Sequence, residues 1–328
     1  MKQVFFVVVI FCSQLFLSCK KINCEIVYAT ADDQLVTINE DAYFAANIVE
    51  HFHDGLGHIV LDGPVTEIGK CAFANNDKLE FIKLPRSVIK IDSCAFEDCS
   101  SLKLCKIPPY CHYIGSYAFS GCINYIHKEI IFPENISYIG DFAFSECKIG
   151  KIVLPPKIHR IEDYAFRYAF IDSIIFPKEI DSIGREAFSG CFARGIANLD
   201  NVKYIGERAF EFCKFETIIL SDSIDAISDF CFWVNDELKS ITIPPSVQKI
   251  GVHAFSGCSH LKKIVIPEGV VSIGAHAFSN CASLEQVFLP TTLDSLGYGV
   301  FDDCPKLKNL VIPESVSYID TVECHDCL

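Results

Sequence analysis

The sequence predicts a solenoid of stacked repeats that is built mainly from short β-strands. Close variants of the segment LKKIVIPEGVVSIGAHAFSNCAS, at residues 261–283, fill nearly all of residues 56–328. Counted from Leu261, its apolar residues stand at positions 0, 3, 5, 9, 12, 16 and 17. This spacing fits neither one helix nor one long strand. It fits a chain that turns several times in each repeat, and a period of about 20 to 30 residues is typical of solenoids.

One phenylalanine sets the register of the repeats, with steps of 22 or 23 residues apart from one step of 25. The series is Phe73, Phe96, Phe119, Phe144, Phe166, Phe188, Phe210, Phe232, Phe255, Phe278 and Phe301. Burying one ring stabilises a repeat by about 1.5–3 kcal/mol, whereas ordering each residue of its backbone costs about 1–2 kcal/mol. We therefore expect that no repeat is stable alone and that these rings stack on one another.

Each repeat begins with a strand of the pattern Leu-x-x-Ile-x-Ile-Pro, as in Leu261, Ile264, Ile266 and Pro267. The proline has no N–H, so it ends the strand ladder and turns the chain away. With this proline, the following Ile-Gly-x-x-Ala-Phe-x-x-Cys segment and the 23-residue step, the sequence resembles the BspA-type leucine-rich repeats of bacterial and protozoan surface proteins.

The resemblance covers about residues 56–328. It implies an α/β, β-rich solenoid, a right-handed coil with one parallel sheet on its concave face. We expect the Ala-Phe pair to lie in a short helical or 3₁₀ turn on the convex face. A glycine at position 13 is expected to relieve the backbone at the bend before this turn. It is found at Gly69, Gly115, Gly140, Gly184, Gly206, Gly251, Gly274 and Gly297.

Two segments precede the repeats along the chain. Residues 1–24 resemble a signal peptide, because Lys2 precedes an apolar run from Val4 to Leu17 that falls short of the ~20 residues of a membrane span. Cleavage is expected within 18–24, which leaves no membrane span in the mature chain. Residues 25–55 read as a degenerate N-terminal cap in which Phe44 mimics a repeat position, followed by a solvated loop.

Residues 56–328 hold about twelve repeats of 22–25 residues. They begin at Leu56, Leu79, Leu102, His127, Ile149, Ile171, Ala193, Phe215, Leu238, Leu261, Leu284 and Leu307. The repeat at Ala193 is irregular, because Asn198 stands where an inward aliphatic residue belongs and Leu199 replaces the proline. We expect a weak point or a bend there.

The formal charge of −14 argues against nucleic acid or anionic lipid as a partner. The sequence has no Gly-rich phosphate loop, nucleophile elbow or His-Glu-x-x-His motif, so we predict neither an enzyme nor a cofactor. His51, His53, Asp54 and His58 could hold zinc, but no further ligand set appears and we favour a loop without metal.

Nine cysteines share one repeat position, which asparagine fills elsewhere. A small side chain that bonds a turning backbone explains both residue types, so we read these cysteines as buried structural thiols. Cys71 and Cys94 lie two residues before the phenylalanine of adjacent repeats, and we predict a disulfide between them. Cys324 and Cys327 suggest a terminal disulfide or a link between chains, and Asn135 heads the sequon Asn-Ile-Ser.

Positions 2 and 4 of each strand should point away from the core. They form a mostly apolar column beside a mixed polar one, and the candidate binding residues are Phe81, Leu104, Ile131, Val153, Ile175, Ile219, Val265, Phe288 and Val311. A long exposed apolar stripe favours a partner, although β-branched residues also suit strands for their own sake.

The resemblance implies an exported, secreted or cell-surface recognition protein that adheres to protein or glycoprotein ligands on host cells, extracellular matrix or other microbes. The alternative class is a structural protein that associates with itself through its C-terminal edge and Cys324 or Cys327. The fold alone does not distinguish a recognition protein from a self-associating one, because solenoids bind many kinds of partner.

Overall fold

The computed structural model describes residues 24–125 and 127–319, with residues 127–129 and 196–198 described by their backbone alone. The chain divides into two compact units, residues 1–148 and residues 149–328. Each unit is described by itself below. The predicted signal peptide and the Cys324 and Cys327 thiols lie outside the described residues.

Both units consist of short strands. The first unit contains β1 (Glu25–Thr30), β2 (Ile48–His53), β3 (Gly57–Leu61), β4 (Glu67–Ile68), β5 (Leu79–Lys83), β6 (Lys90–Ile91), β7 (Leu104–Cys105), β8 (Tyr113–Ile114), β9 (His127–Ile131) and β10 (Tyr138–Ile139). The second unit contains β11 (Ile149–Val153), β12 (Arg160–Ile161), β13 (Ser173–Ile175), β14 (Ser182–Ile183), β15 (Arg194–Leu199), β16 (Tyr204–Ile205), β17 (Lys214–Leu220), β18 (Ala226–Ile227), β19 (Ser240–Thr242), β20 (Lys249–Ile250), β21 (Lys263–Val265), β22 (Ser272–Ile273), β23 (Gln286–Phe288), β24 (Ser295–Leu296) and β25 (Tyr318–Ile319).

The repeats after the first stack as predicted, with parallel strands. The strand of the first predicted repeat, β3, is an exception, because it pairs antiparallel with β1 and β2. In the second unit β11 pairs with β13, β17 lies between β15 and β19 and pairs with both, and β21 pairs with β23, always in parallel. The strands that open the repeats end just before the proline. In the Pro85 and Pro267 repeats the proline carbonyl then accepts a hydrogen bond from the N–H three residues later, which makes a turn. A second parallel ladder, which we did not predict, joins the two-residue strands β18, β20, β22, β24 and β25.

The phenylalanines of each unit form a column of buried rings. In the first unit Phe44, Phe73, Phe96, Phe119 and Phe144 follow one another with ring centroids 5.1–5.9 Å apart. In the second unit the seven rings from Phe166 to Phe301 are 5.2–5.8 Å apart. The prediction of a stacked aromatic column is confirmed within each unit, and Phe44 begins the first column.

The predicted helical or 3₁₀ turn around the phenylalanine is wrong, because the described residues contain no helix. The N–H groups of Phe230, Phe232 and Val234 donate to carbonyls of the next repeat, while those of Cys231 and Trp233 close turns within their own repeat. Alternate N–H groups thus point along the stack. The backbone achieves this by placing Phe230 and Val234 at φ 55° and 54°. In a helix, by contrast, these N–H groups would donate to carbonyls of the same segment, and none would reach the next repeat.

The glycines at position 13 serve close packing, which corrects the expected relief of a bend. A Cβ on Gly115 would lie 2.4 Å from the amide nitrogen of Ser93, and one on Gly274 would lie 2.6 Å from that of Val252. Neither glycine has a positive φ. These positions exclude a side chain because the backbone of the neighbouring repeat occupies its space.

The irregular seventh repeat contains a shift in the register of its strand pairing. Leu199 pairs with Leu220 and is buried, so it takes the inward position that we had assigned to Asn198. The pairing of β15 with β17 shifts between Gly195, at φ 84°, and Ile196. An irregular pairing of this kind lets the ladder continue across a repeat of different spacing.

The N-terminal segment forms antiparallel strand pairs, in contrast to the parallel pairs of the repeats. Strand β1 lies between β3 and β5 and runs antiparallel to both, and β2 pairs antiparallel with β3. Residues 48–53 are therefore a hairpin strand, where we had expected a solvated loop. This arrangement covers the edge of β5 with β1, so that β5 pairs with β7 on its other side only.

Candidate functional site

The candidate site is the outward surface of the strands that open the repeats, which we call the strand face. In β5, Leu79 and Ile82 point into the core whereas Phe81 and Lys83 point outward. Phe81 lies opposite Leu104 of β7 and both are half-buried. Sequence reasoning missed β1, which adds Ala29 beside Phe81 on this surface of the first unit. The sequence carries little signal for this strand, because Ile26, Val27, Tyr28 and Ala29 follow one another without apolar and polar alternation and lie outside the repeat pattern.

In the second unit the predicted apolar column is exposed. Val153 is half-buried and lies opposite Ile175, and Val265 lies opposite Phe288. The exposed large apolar residues of the column in the two units are Ile131, Ile175, Ile219, Val265, Phe288 and Val311. Because parallel strands are about 4.8 Å apart, neighbours in this column lie close enough to meet one ligand together.

Charged and polar pairs flank the apolar column. The Lys103 ammonium lies 2.6 Å from the Glu80 carboxylate, and Lys239 lies 2.7 Å from Glu216. The hydrogen bond and charge of Lys239 lower the pKa of Glu216. Pairs of this kind are solvent-exposed and contribute little to stability. Within the second unit, the apolar column residues Ile175, Ile219, Val265 and Phe288 are themselves uncharged.

The histidines of the N-terminal hairpin have protein partners. His58 lies 2.9 Å from Glu25 through Nδ1 and 3.0 Å from Asp54 through Nε2. The Tyr28 hydroxyl lies 2.6 Å from Nε2 of His51, and burial lowers the pKa of His51. Within residues 24–125 and 127–319, no group of three or more histidine, cysteine, aspartate or glutamate side chains is arranged to hold a metal ion.

The shared cysteine position is confirmed as a structural thiol. Cys122 and Cys191 donate through Sγ to the carbonyls of Phe96 and Phe166 in the preceding repeat, at 3.1 and 2.8 Å. Asn235 makes the same bond through its amide, to Phe210, at 2.7 Å. Burial raises the pKa of Cys258 to about 12. Such thiols are poor nucleophiles because little thiolate forms at neutral pH.

Cys71 and Cys94 are free thiols in the structure, so the predicted disulfide is not formed in it. They nevertheless occupy matching places in adjacent repeats, because the N–H of Cys71 donates to Ser93 and the N–H of Cys94 to Ser116. Their side chains are in hydrogen-bond contact. Burial, followed by the effect of Glu97, raises the pKa of Cys94 to about 12.

We expect mild oxidation to link Cys71 to Cys94. Peptide mapping without reductant should recover one cross-linked peptide, and linkage should be faster at higher pH because the raised pKa of Cys94 limits the thiolate. Cys71→Ser is the control, since it removes the cross-link and leaves Cys258 unreacted. Recovery of Cys71 and Cys94 as two separately alkylated thiols after oxidation would refute the bridge.

Asn135 is exposed and lies in the turn from Pro133 to Ile136 that follows β9, in keeping with an accessible sequon. Its glycosylation stays a prediction.

Sequence reasoning missed a second row of aromatic residues, at the left-handed position two residues before the buried phenylalanine. Tyr117 stacks on Phe142 at 4.7 Å, and Phe230 stacks on His253 at 4.9 Å. The recurrence of Tyr, Phe and His at this repeat position was the available signal.

A cavity of about 310 Å³ lies where β13 ends in the second unit. Ile175, Pro177, Leu199 and Asn201 contribute to its lining. Its walls are mainly aliphatic, and it opens beside the exposed column. The arrangement as a whole offers contact surface, with aliphatic and aromatic side chains at its centre and paired charges at its sides.

A family model described as "BspA type Leucine rich repeat region (6 copies)" matches residues 16–125, 51–172, 159–264 and 230–327. The chain belongs to the BspA-type leucine-rich repeat family. These matches span nearly every repeat of both units, in agreement with the resemblance and with the stacked parallel strands. Among curated proteins, no match was found.

This BspA-type chain is similar to several solved structures. A leucine-rich repeat protein from Bacteroides ovatus is 23% identical, with a TM-score of 0.44, and 84% of this chain and 92% of that chain are covered. A leucine-rich cell surface protein from Faecalibacterium prausnitzii is 22% identical, with a TM-score of 0.47 and coverages of 91% and 95%. The pneumococcal vaccine antigen PcpA is 18% identical, with a TM-score of 0.50 and coverages of 82% and 66%.

In the part of the chain that the structure describes, no helix has the length and apolar character needed to cross a membrane.

Proposed function

We propose that this protein is an exported, surface-located recognition protein whose strand face binds protein or glycoprotein ligands on host cells, matrix or other microbes. One observation carries the proposal. The outward column keeps large apolar residues in solvent repeat after repeat, with Ile175, Val265 and Phe288 each about half exposed. Membership of a family of surface repeat proteins and the signal-like apolar run at residues 4–17 support export.

Binding through such a face would combine modest contacts. Each exposed aliphatic or aromatic side chain gains about 25 cal/mol for every Å² of apolar surface that a partner covers. The strands hold these side chains on a hydrogen-bonded backbone, so little backbone entropy is lost when the partner binds. A binding surface fits the face better than catalysis does, because its centre consists of aliphatic and aromatic side chains.

The double substitution Ile175→Asp with Phe288→Asp should reduce binding of the labelled protein to cultured host cells by tenfold or more, on the order of 1.4 kcal/mol. Each aspartate places a charge where the partner would exclude water. The matched control is Phe170→Asp with Phe192→Asp, two exposed phenylalanines off the strand face that stack on each other at 5.7 Å. Equal loss in both variants, or in neither, would show that the strand face is the wrong surface.

Self-association is the second candidate, and one feature of the last described repeat favours it. Asn309 adopts φ 56°, and residues 307–312 form no strand on β23. Among the described residues, the outer edge of β23 therefore has no strand partner. Exposed strand edges pair with other chains. Size-exclusion chromatography with and without reductant separates the candidates, because disulfide-linked oligomers through Cys324 or Cys327 would disappear with reductant.

A further inference from the structure

Three lysines stand beside the apolar column on the last repeats of the second unit. Lys262 and Lys263 belong to the β21 repeat, and Lys308 belongs to the repeat after β23. Val265, Phe288 and Val311, which belong to the three successive repeats that begin with the β21 repeat, are 53%, 51% and 77% exposed. We call these six residues the lysine patch.

The lysine patch has no ion pair among the described residues, and Glu285 lies in the repeat between Lys262 and Lys308. All three lysines are exposed, and within the described ranges no carboxylate lies at ion-pair distance from Lys262, Lys263 or Lys308. The outward segments 262–265, 285–288 and 308–311 contain only one acidic residue, Glu285. A chain with a net charge of −14 therefore carries a local positive field at this place.

The neighbouring repeats of the strand face differ from the lysine patch. Lys239 is held at 2.7 Å by Glu216, and Thr217 and Ser240 lie 3.2 Å apart through their hydroxyl oxygens. Charges there are satisfied by partners in the adjacent repeat. The unpaired ammonium groups are thus concentrated beside the most exposed part of the apolar column, so one ligand could contact both.

A lysine and an apolar residue of the lysine patch are also in contact with each other. The ammonium of Lys263 lies 4.9 Å from the centroid of the Phe288 ring. A cation over a ring is attracted by the negative face of the π system, and this leaves the aliphatic stem of the lysine along the surface. A ligand that covers Phe288 would therefore place its own groups within reach of the Lys263 charge.

We propose that the lysine patch binds an acidic polypeptide segment that carries apolar side chains between its carboxylates. The inference rests on the proposed recognition function and names the chemistry of its partner. The carboxylates would pair with Lys262, Lys263 and Lys308, and the apolar side chains would cover Val265, Phe288 and Val311. A sulfated polysaccharide would satisfy the lysines, but it has no aliphatic side chains to cover the exposed apolar column.

The test compares two triple variants with equal net charge. Lys262→Glu, Lys263→Glu and Lys308→Glu reverse the patch, while Lys157→Glu, Lys203→Glu and Lys249→Glu reverse three exposed lysines outside it in the second unit. Each substitution changes the charge by −2, so both triples move the chain from −14 to −20. The probes are a synthetic peptide alternating glutamate and leucine, its lysine and leucine counterpart, and heparin, and fluorescence anisotropy is the readout.

The glutamate–leucine peptide should bind the unaltered protein more tightly than its lysine counterpart, and added salt should weaken its binding. Patch reversal should weaken it by about tenfold or more, whereas the control triple should change it by less than about threefold. Equal effects of the two triples, preference for the basic peptide, or tighter binding of heparin through the same lysines would overturn the proposal.

Failure here is distinguishable from failure of the proposed function. If Ile175→Asp with Phe288→Asp abolishes cell binding while patch reversal leaves it intact, the strand face is the binding surface and its partner is not acidic. If neither variant changes cell binding, the proposed function itself fails. Circular dichroism of each triple checks that the variants fold, and exposed surface lysines tolerate such changes within about 0.5 kcal/mol.

Discussion

Replacing Phe210 by alanine should lower the free energy of unfolding by about 3–5 kcal/mol, the range for large cavities in a core. Phe210 is fully buried between Phe188 and Phe232, with centroids 5.6 and 5.8 Å away and ring planes nearly parallel. Phe215 contacts it edge-on at 5.7 Å. The rings above and below cannot close the gap, because each is held in register by its own repeat.

Coupling in stacked repeats runs mainly between neighbours, so the Phe210→Ala variant should also unfold in two phases during denaturant titration. Phe170→Ala is the matched control, because Phe170 is exposed in the same unit and its loss should cost about 1 kcal/mol or less. A single transition with an unchanged midpoint in the Phe210→Ala variant would show that the buried column does not hold the stack together.

Gly115→Ala should be the other severely destabilising change, with a cost of about 3 kcal/mol, at the upper end of the range for overpacking. The new Cβ would meet backbone atoms of Ser93 and Asp92 at 2.4 and 2.7 Å. Backbone cannot move aside as a flexible side chain can. The two repeats would have to separate, which would also strain the hydrogen bond from the Gly115 N–H to the Ile91 carbonyl at 2.8 Å.

The control for this change lies in the same unit. A Cβ on Gly63 would meet only the Ala46 side chain, at an ordinary contact distance of 3.5 Å. Gly63→Ala should leave the thermal midpoint unchanged or raise it slightly, because alanine restricts the unfolded chain. If both alanine variants melted at the same temperature, close approach between repeats would not be the reason for glycine at position 13.

The periodic features of this fold could be predicted from the sequence. Phe73 and its successors, the strand-ending prolines and the cysteine position each recur once per repeat, and their physical roles follow from residue type. The phenylalanine ring is large and apolar and is therefore buried. The proline lacks an N–H and ends a strand. The small cysteine side chain donates to a backbone carbonyl in a turn. The outward direction of Ile175 and Phe288 followed from the alternation of a strand in the same way.

The turn around the phenylalanine could not be predicted, because its backbone conformation is unusual for the residues it contains. Left-handed φ values normally call for glycine or asparagine, yet Arg208, Phe230 and Val234 adopt them. Hydrogen bonds to the next repeat compensate for this strain. They exist only after stacking, so a single repeat carries no sign of them.

The N-terminal strand was missed for a different reason. Residues Glu25–Thr30 lie outside the repeat period, and their partners β3 and β5 are separated from them along the chain. Pairing over such distances depends on the finished sheet. The lysine patch was also invisible in the sequence as a unit, because Lys262 and Lys308 come together only through the stacking of repeats.

The measurement that tests the recognition account most directly is hydroxyl-radical footprinting of the protein bound to host cell surfaces. Ile175, Val265 and Phe288 are exposed on the strand face, while Tyr168, Phe170 and Phe192 are comparably exposed elsewhere on the same unit. We predict that binding protects the first three side chains and leaves the second three as reactive as in the free protein. Protection of Tyr168, Phe170 and Phe192 with an unprotected strand face would contradict the account.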